Sequence, residues 1–210
     1  PNDSMKGSYL GTEYSEKEIE NQLNKCNAIY KKLENKQIIE LVAKNLDESK
    51  CIGWYQGKME FGPRALGNRS ILADPRGKDM QEKLNLKIKF RESFRPFAPA
   101  ILEEKLGDYY ENKLPSPYML LIDYLKKNRR YEINEDIHKK LFGIDKLKLD
   151  RSEIPSVTHL DFSARIQTVN GKYNKVFYDL IKAFYDLTGC PVLINTSFNI
   201  RWEPIVQSVE

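Results

Sequence analysis

An α/β domain built on a mixed β-sheet with flanking helices is the fold this sequence predicts, and three observations predict it. Short apolar runs of strand character at 51–56, 97–102, 118–124, 164–169 and 191–195 alternate loosely with segments of helical period. The best patterned of those segments starts at Asn174, sets Val176, Phe177, Leu180, Ile181, Phe184 and Leu187 on one face, and meets a stop at Gly189. A chain of 210 residues, 40% hydrophobic and without internal repeats, is long enough for one domain with its own core.

The elements follow in order. Residues 1–14 read as an irregular lead-in. Ser15 followed by Glu18 is a capping-box pattern, and Ile19, Leu23, Cys26, Tyr30 and Leu33 then recur at helical spacing. A second helix runs through Ile38, Leu41, Val42 and Leu46, and a short strand over 51–56 delivers the chain into a glycine-rich segment. Residues 79–88 are helical, with Lys83 and Lys87 on the wet side. Strands at 97–102 and 118–124 are each introduced by proline. The charged stretch 126–153 reads as a surface excursion with one short helix near 136–142. Pro1 at the start, and an end just past an apolar strand, read as cuts in a longer chain.

Composition excludes several classes. A net charge of +4 is too small an excess for a nucleic-acid face, and nucleic acid is disfavoured as a partner. No apolar run has the length of a membrane span, and the start does not read as a signal peptide. Cys26, Cys51 and Cys190 are odd in number and far apart, and His138 and His159 stand at no zinc-ligand spacing to them. Reduced thiols in a cytoplasmic protein are expected, with no metal site. With two histidines, neither near a serine or cysteine in sequence, a hydrolase triad is not expected either.

Three constellations carry chemistry. Residues 57–76 hold three glycines, two prolines and the arginines Arg64, Arg69 and Arg76. Glycine permits close backbone approach, proline fixes loop shape, and guanidinium forks match phosphate or carboxylate oxygens. The segment reads as a cationic cradle for a small anion, or else as a tight turn with surface arginines. Gly57 and Gly62 are spaced as in a P-loop, but Pro63-Arg64 follows where that motif needs lysine and a hydroxyl residue. In the second constellation, Lys87, Lys89 and Arg91 would share one face of a strand, with Arg95 beyond and Phe90, Phe94 and Phe97 interleaved. It is either an anion site or a basic edge strand. The third is Asn195-Thr-Ser197-Phe-Asn199-Ile-Arg201, after an apolar strand. Ligands favour such strand ends, although without further context a polar turn capping a helix is the default reading. Arg165 alone would be an ordinary ion-pair partner. The chemistry suggested is positioning and charge neutralisation, as in nucleotidyl or acyl-phosphate transfer.

Longer motifs link these sites. Residues Gln56 through Arg76, Lys89-Phe-Arg-Glu-Ser-Phe-Arg-Pro-Phe-Ala-Pro99, Val157-Thr-His159 with Ala164-Arg-Ile-Gln-Thr168, and Pro191-Val-Leu-Ile-Asn-Thr-Ser-Phe-Asn199 resemble the NodU/CmcH-type O-carbamoyltransferases. The resemblance runs from about residue 10 to the end. It implies a carboxyl-terminal YrdC-like α/β domain over 15–210, with 1–14 leading in from an amino-terminal TsaD-like domain. That other domain would hold the iron or other metal and the acceptor site. The implied chemistry joins carbamoyl phosphate and ATP with Mg²⁺ into carbamoyl-adenylate, for transfer to a hydroxyl. The YrdC-like signature K-x-R with S-x-N is met by Lys89-Phe-Arg91 and Ser197-Phe-Asn199.

By position, the resemblance assigns carbamoyl phosphate to Arg64, Lys89, Arg95, Arg165 and Ser197, with Lys89, Arg95 and Ser197 also catalytic. It assigns the ATP phosphates or the adenylate to Arg91, Asn195 and Asn199. Arg64 and Arg95 would grip the phosphate. Trp202 departs from the family, which usually has glycine there, and Phe162-Ser163 replaces Gly-Thr. Two other readings share the pattern: an RNA-binding YrdC-like module using residues 126–130, and a threonylcarbamoyl-adenylate synthase.

Overall fold

The computed structural model describes residues 3–133, 136 and 140–209. Five strands form the main sheet in the order β1-β2-β7-β3-β6. They are β1 (Ile52–Tyr55), β2 (Arg69–Ala73), β3 (Ala98–Leu102), β6 (Gln167–Val169) and β7 (Val192–Ser197). All neighbours are antiparallel except β3 and β6, so the sheet is mixed as expected. A separate antiparallel pair joins β4 (Ile122–Tyr124) to β5 (Ser163–Arg165).

Helix α1 (Glu16–Lys25) opens on the expected capping box, with Ser15 accepting from the Glu18 amide and Glu18 accepting from Ser15. It stops well before Leu33. No residue of α1 is buried, so nothing rewards extension, and Asn27 turns the chain at φ +52°. Helix α2 (Asn35–Asp47) buries Val42, Ala43 and Leu46. Helix α3 (Met80–Lys87) and the short α4 (Leu106–Tyr109) follow. Helix α5 (Lys175–Thr188) is capped by the Asn174 side chain and ends at Gly189 in the left-handed conformation. Its Phe177, Leu180, Ile181 and Phe184 are fully buried, spaced at three and four residues as one helix face requires. Helices α2 and α5 pack together, and α5 lies against β3 and β7.

Four further expectations are corrected. Residues 87–91 are not a strand: α3 ends at Lys87 and the chain turns, burying Lys89 while Lys87 stays exposed. The run 164–169 is two strands in different sheets, split at the buried Ile166. The strand expected over 118–124 forms only at β4. The excursion 126–153 returns to the interior at its far end, where Arg151 is buried and its guanidinium donates to the Leu147 and Thr158 carbonyls, both at 3.0 Å. The helix expected near 136–142 lies largely outside the described residues.

Candidate functional site

Strand β2, inside the glycine-rich segment, is fully buried and unexpected. Its Arg69 has no exposure and lies 3.6 Å from the Tyr55 ring centroid. The guanidinium donates to the carbonyls of Gln56 at 2.8 Å, Asn68 at 2.9 Å and Gly57 at 3.1 Å. Arg69 therefore holds the loop together instead of meeting a ligand. Arg76 is bound to Asp74 and Asp47, each at 2.6 Å. Of the three arginines in the segment, Arg64 lines a cavity shared with other residues singled out from the sequence.

The stretch after Arg64 is pinned by most of its backbone groups. Buried Glu60 accepts the Leu66 amide at 2.6 Å and the Asn68 amide at 2.8 Å. The Leu66 carbonyl accepts from Tyr9 and from Gln167, both at 2.8 Å, and the Ala65 carbonyl accepts from Asn195 at 3.0 Å. Gly67, at φ +110°, lies against the Phe177 ring, where a Cβ would come within 2.2 Å of Cδ1. Only glycine fits there. The cradle is thus rigid, and it presents an exposed Arg64 from fixed backbone.

Lys89 and the end of β7 form a second knot. The Lys89 ammonium donates to the Ser197 carbonyl at 2.5 Å and to the Asn199 carbonyl and side-chain oxygen, both at 2.8 Å. The Ser197 hydroxyl stands 3.2 Å from the ammonium and donates to Asn199 Oδ1 at 2.6 Å. Three protons face four oxygens, so Lys89 is a strut of the turn as well as a charge in the cavity wall. Burial, and then the nearby Arg91, lower its pKa to about 8.

Buried Asn85 organises the loop between these parts. Its amide donates to the Arg95 carbonyl at 2.8 Å and its oxygen accepts Arg91 Nε at 2.7 Å. Arg91 also lies 5.0 Å from the Phe97 ring centroid. Burial, then Arg95, hold the Arg91 pKa below its ordinary value. Arg95 itself is exposed and paired with Glu92 at 2.8 Å.

Two adjoining cavities collect the eight residues that the resemblance assigns to ligands. One, of about 130 Å³, is lined by Arg64, Arg91, Arg165, Asn195 and Ser197 among others. The other, of about 250 Å³, is lined by Lys89, Arg91, Arg95, Ser197, Asn199 and Trp202 among others. Arg91 and Ser197 belong to both, so they form the shared wall. Arg64 and Arg95, expected to grip one phosphate together, line different cavities. Arg165 faces Arg64 closely enough that, after burial, this second charge lowers its pKa further. Arg165 Nε and Asn195 Oδ1 are buried without a protein hydrogen-bond partner. The Asn195 amide cannot simply flip, because its Nδ2 must face the Ala65 carbonyl and Gln167 Oε1. A donor and an acceptor are left unspent beside a cationic cavity, which is where a polar anion would recover their cost.

A larger and more apolar cavity of about 320 Å³ adjoins the first at Pro96 and is lined by Phe94, His159 and Asp161 among others. Burial keeps the His159 pKa below its ordinary value. The basic run considered for RNA is partly paired within the chain. Arg129 pairs with Glu153, Arg130 pairs with Glu111, and Lys126 donates to the Gly107 carbonyl. Among the described residues no helix is long and apolar enough to cross a membrane, and no three His, Cys, Asp or Glu residues cluster as a metal site. The three cysteines are free.

Sequence reasoning missed Glu60, Asn85 and Gln167. Glu60 and Gln167 stood within the quoted motifs, so a signal was present. Asn85 gave none, being one polar residue on a helix face beside Leu84.

Comparison with known proteins gives the family. Residues 43–210 match the family described as carbamoyltransferase C-terminus. An uncharacterized protein of Synechocystis is 50% identical over 210 residues, covering 99% of this chain and 34% of that protein. Nodulation protein NolO of Bradyrhizobium diazoefficiens is 42% identical over 158 residues, 75% of this chain and 26% of its own length. The 3'-hydroxymethylcephem-O-carbamoyltransferase of Amycolatopsis lactamdurans is 37% identical over 157 residues, with shares of 75% and 26%. The chain therefore spans about a third or less of the length of these relatives. With four fifths of its length inside the family match, the chain belongs to the carbamoyltransferase C-terminal family.

Proposed function

We propose that this chain binds carbamoyl phosphate and ATP and forms carbamoyl-adenylate, as the carboxyl-terminal part of an O-carbamoyltransferase. The observation that carries the reading is the convergence of Arg64, Lys89, Arg91, Arg95 and Arg165 on two cavities joined at Ser197. Two polyanionic substrates brought side by side repel each other, and fixed cations in a partly dehydrated site offset that repulsion strongly. Arg64 and Arg165 would hold the phosphate of carbamoyl phosphate in the smaller cavity. The unspent Arg165 Nε and Asn195 Oδ1 complement a carbamoyl phosphate, which offers both oxygens and amide hydrogens. Lys89, Arg91, Arg95 and Asn199 would take the nucleotide phosphates in the larger one, with Mg²⁺ carried in by the nucleotide.

The bonds balance if water releases phosphate from carbamoyl phosphate and a carbamate oxygen then displaces pyrophosphate at the α-phosphorus of ATP. Arg91 and Ser197, common to both cavities, sit where the two substrates would meet. Transfer of the carbamoyl group to a hydroxyl would fall to the remainder of the longer protein, where the resemblance also places the metal.

Titration calorimetry with carbamoyl phosphate tests the assignment. Arg64→Ala is expected to lose about 10- to 150-fold in affinity, about 1.5–3 kcal/mol for a charge-assisted hydrogen bond. Arg76→Ala, which removes a cation already paired with Asp74 and Asp47, is expected to bind as the parent does. Equal affinity in the parent and Arg64→Ala would remove the phosphate from this cavity.

A further inference from the structure

Trp202 stands out against everything around it. Its indole is 90% exposed, a large apolar surface left in water. Its backbone lies at φ +70°, in the left-handed region that disfavours a bulky side chain. Yet it lines the cavity that also holds Lys89, Arg91, Arg95, Ser197 and Asn199. The Arg201 guanidinium lies 4.9 Å from the ring centroid and helps to orient the ring.

We propose that Trp202 is a stacking platform for the nucleobase of a nucleotide whose phosphates lie among Lys89, Arg91 and Arg95. A cluster of cations recognises phosphate but is blind to what the phosphate carries. An exposed aromatic face at the rim of the same cavity supplies the missing recognition, because every base has a π-face. Trp202 would thus make this site prefer nucleotides over other polyphosphates. This inference rests on the nucleotide reading given above and adds a residue and a specificity to it.

The test compares ATP with inorganic tripolyphosphate on the 210-residue chain, by calorimetry and by tryptophan fluorescence. The chain has two tryptophans, and Trp54 is only 6% exposed, so a change in the solvent-accessible emission reports Trp202. ATP is expected to quench that emission and tripolyphosphate to bind without doing so. Trp202→Ala keeps the Cβ, and hence the backbone strain, while removing the ring. It is expected to weaken ATP about tenfold and leave tripolyphosphate within twofold. Trp202→Phe, which keeps a π-face, is expected to stay within threefold of the parent for ATP.

An equal loss for both ligands in Trp202→Ala, or no loss for ATP, would overturn the stacking proposal and leave the anion site standing. Carbamoyl phosphate bound with no ATP bound would overturn both the stacking and the nucleotide reading. If none of the three ligands bound, the anion site itself would fall.

Discussion

Lys89 and Asn199 are 110 residues apart in sequence, yet the ammonium meets both the carbonyl and the side-chain oxygen of Asn199 at 2.8 Å. This contact ties the end of α3 to the end of β7 and fixes the Ser197 hydroxyl at the wall between the two cavities. Lys89→Met keeps the stem and removes the charge. Two effects on stability oppose each other: half-buried carbonyls lose a donor, and a buried ammonium no longer has to be dehydrated. Stability in urea is therefore expected to change by less than about 1 kcal/mol. Anion affinity is expected to fall by about 2 kcal/mol, near 30-fold. Calorimetry with ATP and with carbamoyl phosphate checks this. Affinity within twofold of the parent for both ligands would show that Lys89 is only a strut.

The lowered pKa of Lys89 gives the site a pH dependence. The free ammonium loses its proton near pH 8, below its ordinary 10.5, because burial and Arg91 disfavour the charge. A bound anion favours the charged form, so binding above pH 8 must take up a proton. Phosphate monoesters complete their second ionisation near pH 6 and are not changing charge in this range. Affinity is expected to hold steady from about pH 7 to 8 and then to fall by up to tenfold per unit. The stability effect has the opposite sign. Between about 8 and 10.5 the unfolded chain holds more protons at this residue than the folded one, so its contribution to stability rises with pH. Calorimetry at pH 7, 8 and 9 in buffers of different ionisation enthalpy reads the proton uptake directly. A flat profile to pH 9 in the parent, no different from Lys89→Met, would exclude it.

Much of the fold was legible because local signals agreed with burial. The Ser15 and Glu18 cap, the Asn174 cap and the Gly189 stop appear where the residue types place them. The Lys89-x-Arg91 and Ser197-x-Asn199 pairs do meet. Strand β2 was not legible, because Arg69 sits among glycines and prolines and reads as surface. Only the finished fold, with carbonyls from four residues and the Tyr55 ring around its guanidinium, makes that burial tolerable. The same gap in sequence reasoning grouped Arg69 and Arg76 with Arg64. Likewise, alternation predicted one face for Lys87, Lys89 and Arg91. It cannot reveal that α3 ends at Lys87 and sends the next cation inward.

Gly67 is expected to be the most sensitive position in the cradle. At φ +110° any side chain is strained, and a Cβ would meet the fully buried Phe177 ring at 2.2 Å. The loop cannot retreat, since Glu60 holds the amides of Leu66 and Asn68 on either side. Gly67→Ala combines backbone strain with overpacking and is expected to cost about 3 kcal/mol in urea denaturation. Gly62 offers the contrast. It too has a positive φ, +140°, but a Cβ there meets nothing within 4 Å. Gly62→Ala is expected to pay the strain alone, about 1 kcal/mol. Equal losses at the two positions would show that the Phe177 contact is not what fixes the loop.

Trp202 separates stability from recognition. Its φ of +70° lies where glycine is at ease and tryptophan is not. Trp202→Gly is expected to raise stability by about 1 kcal/mol, since the exposed ring loses few contacts on removal. Part of the gain is offset by the greater freedom of glycine in the unfolded chain, which keeps the net gain near the lower end of the left-handed penalty. The same substitution removes the aromatic face at the cavity rim, so ATP affinity is expected to fall about tenfold while the urea midpoint rises. Movement in opposite directions is the signature of a residue kept for its ligand. A variant that gains neither stability nor loses ATP would mean that the turn is unstrained and the ring idle. One that loses both would mean that the indole packs against the cavity wall and supports the turn that carries Asn199.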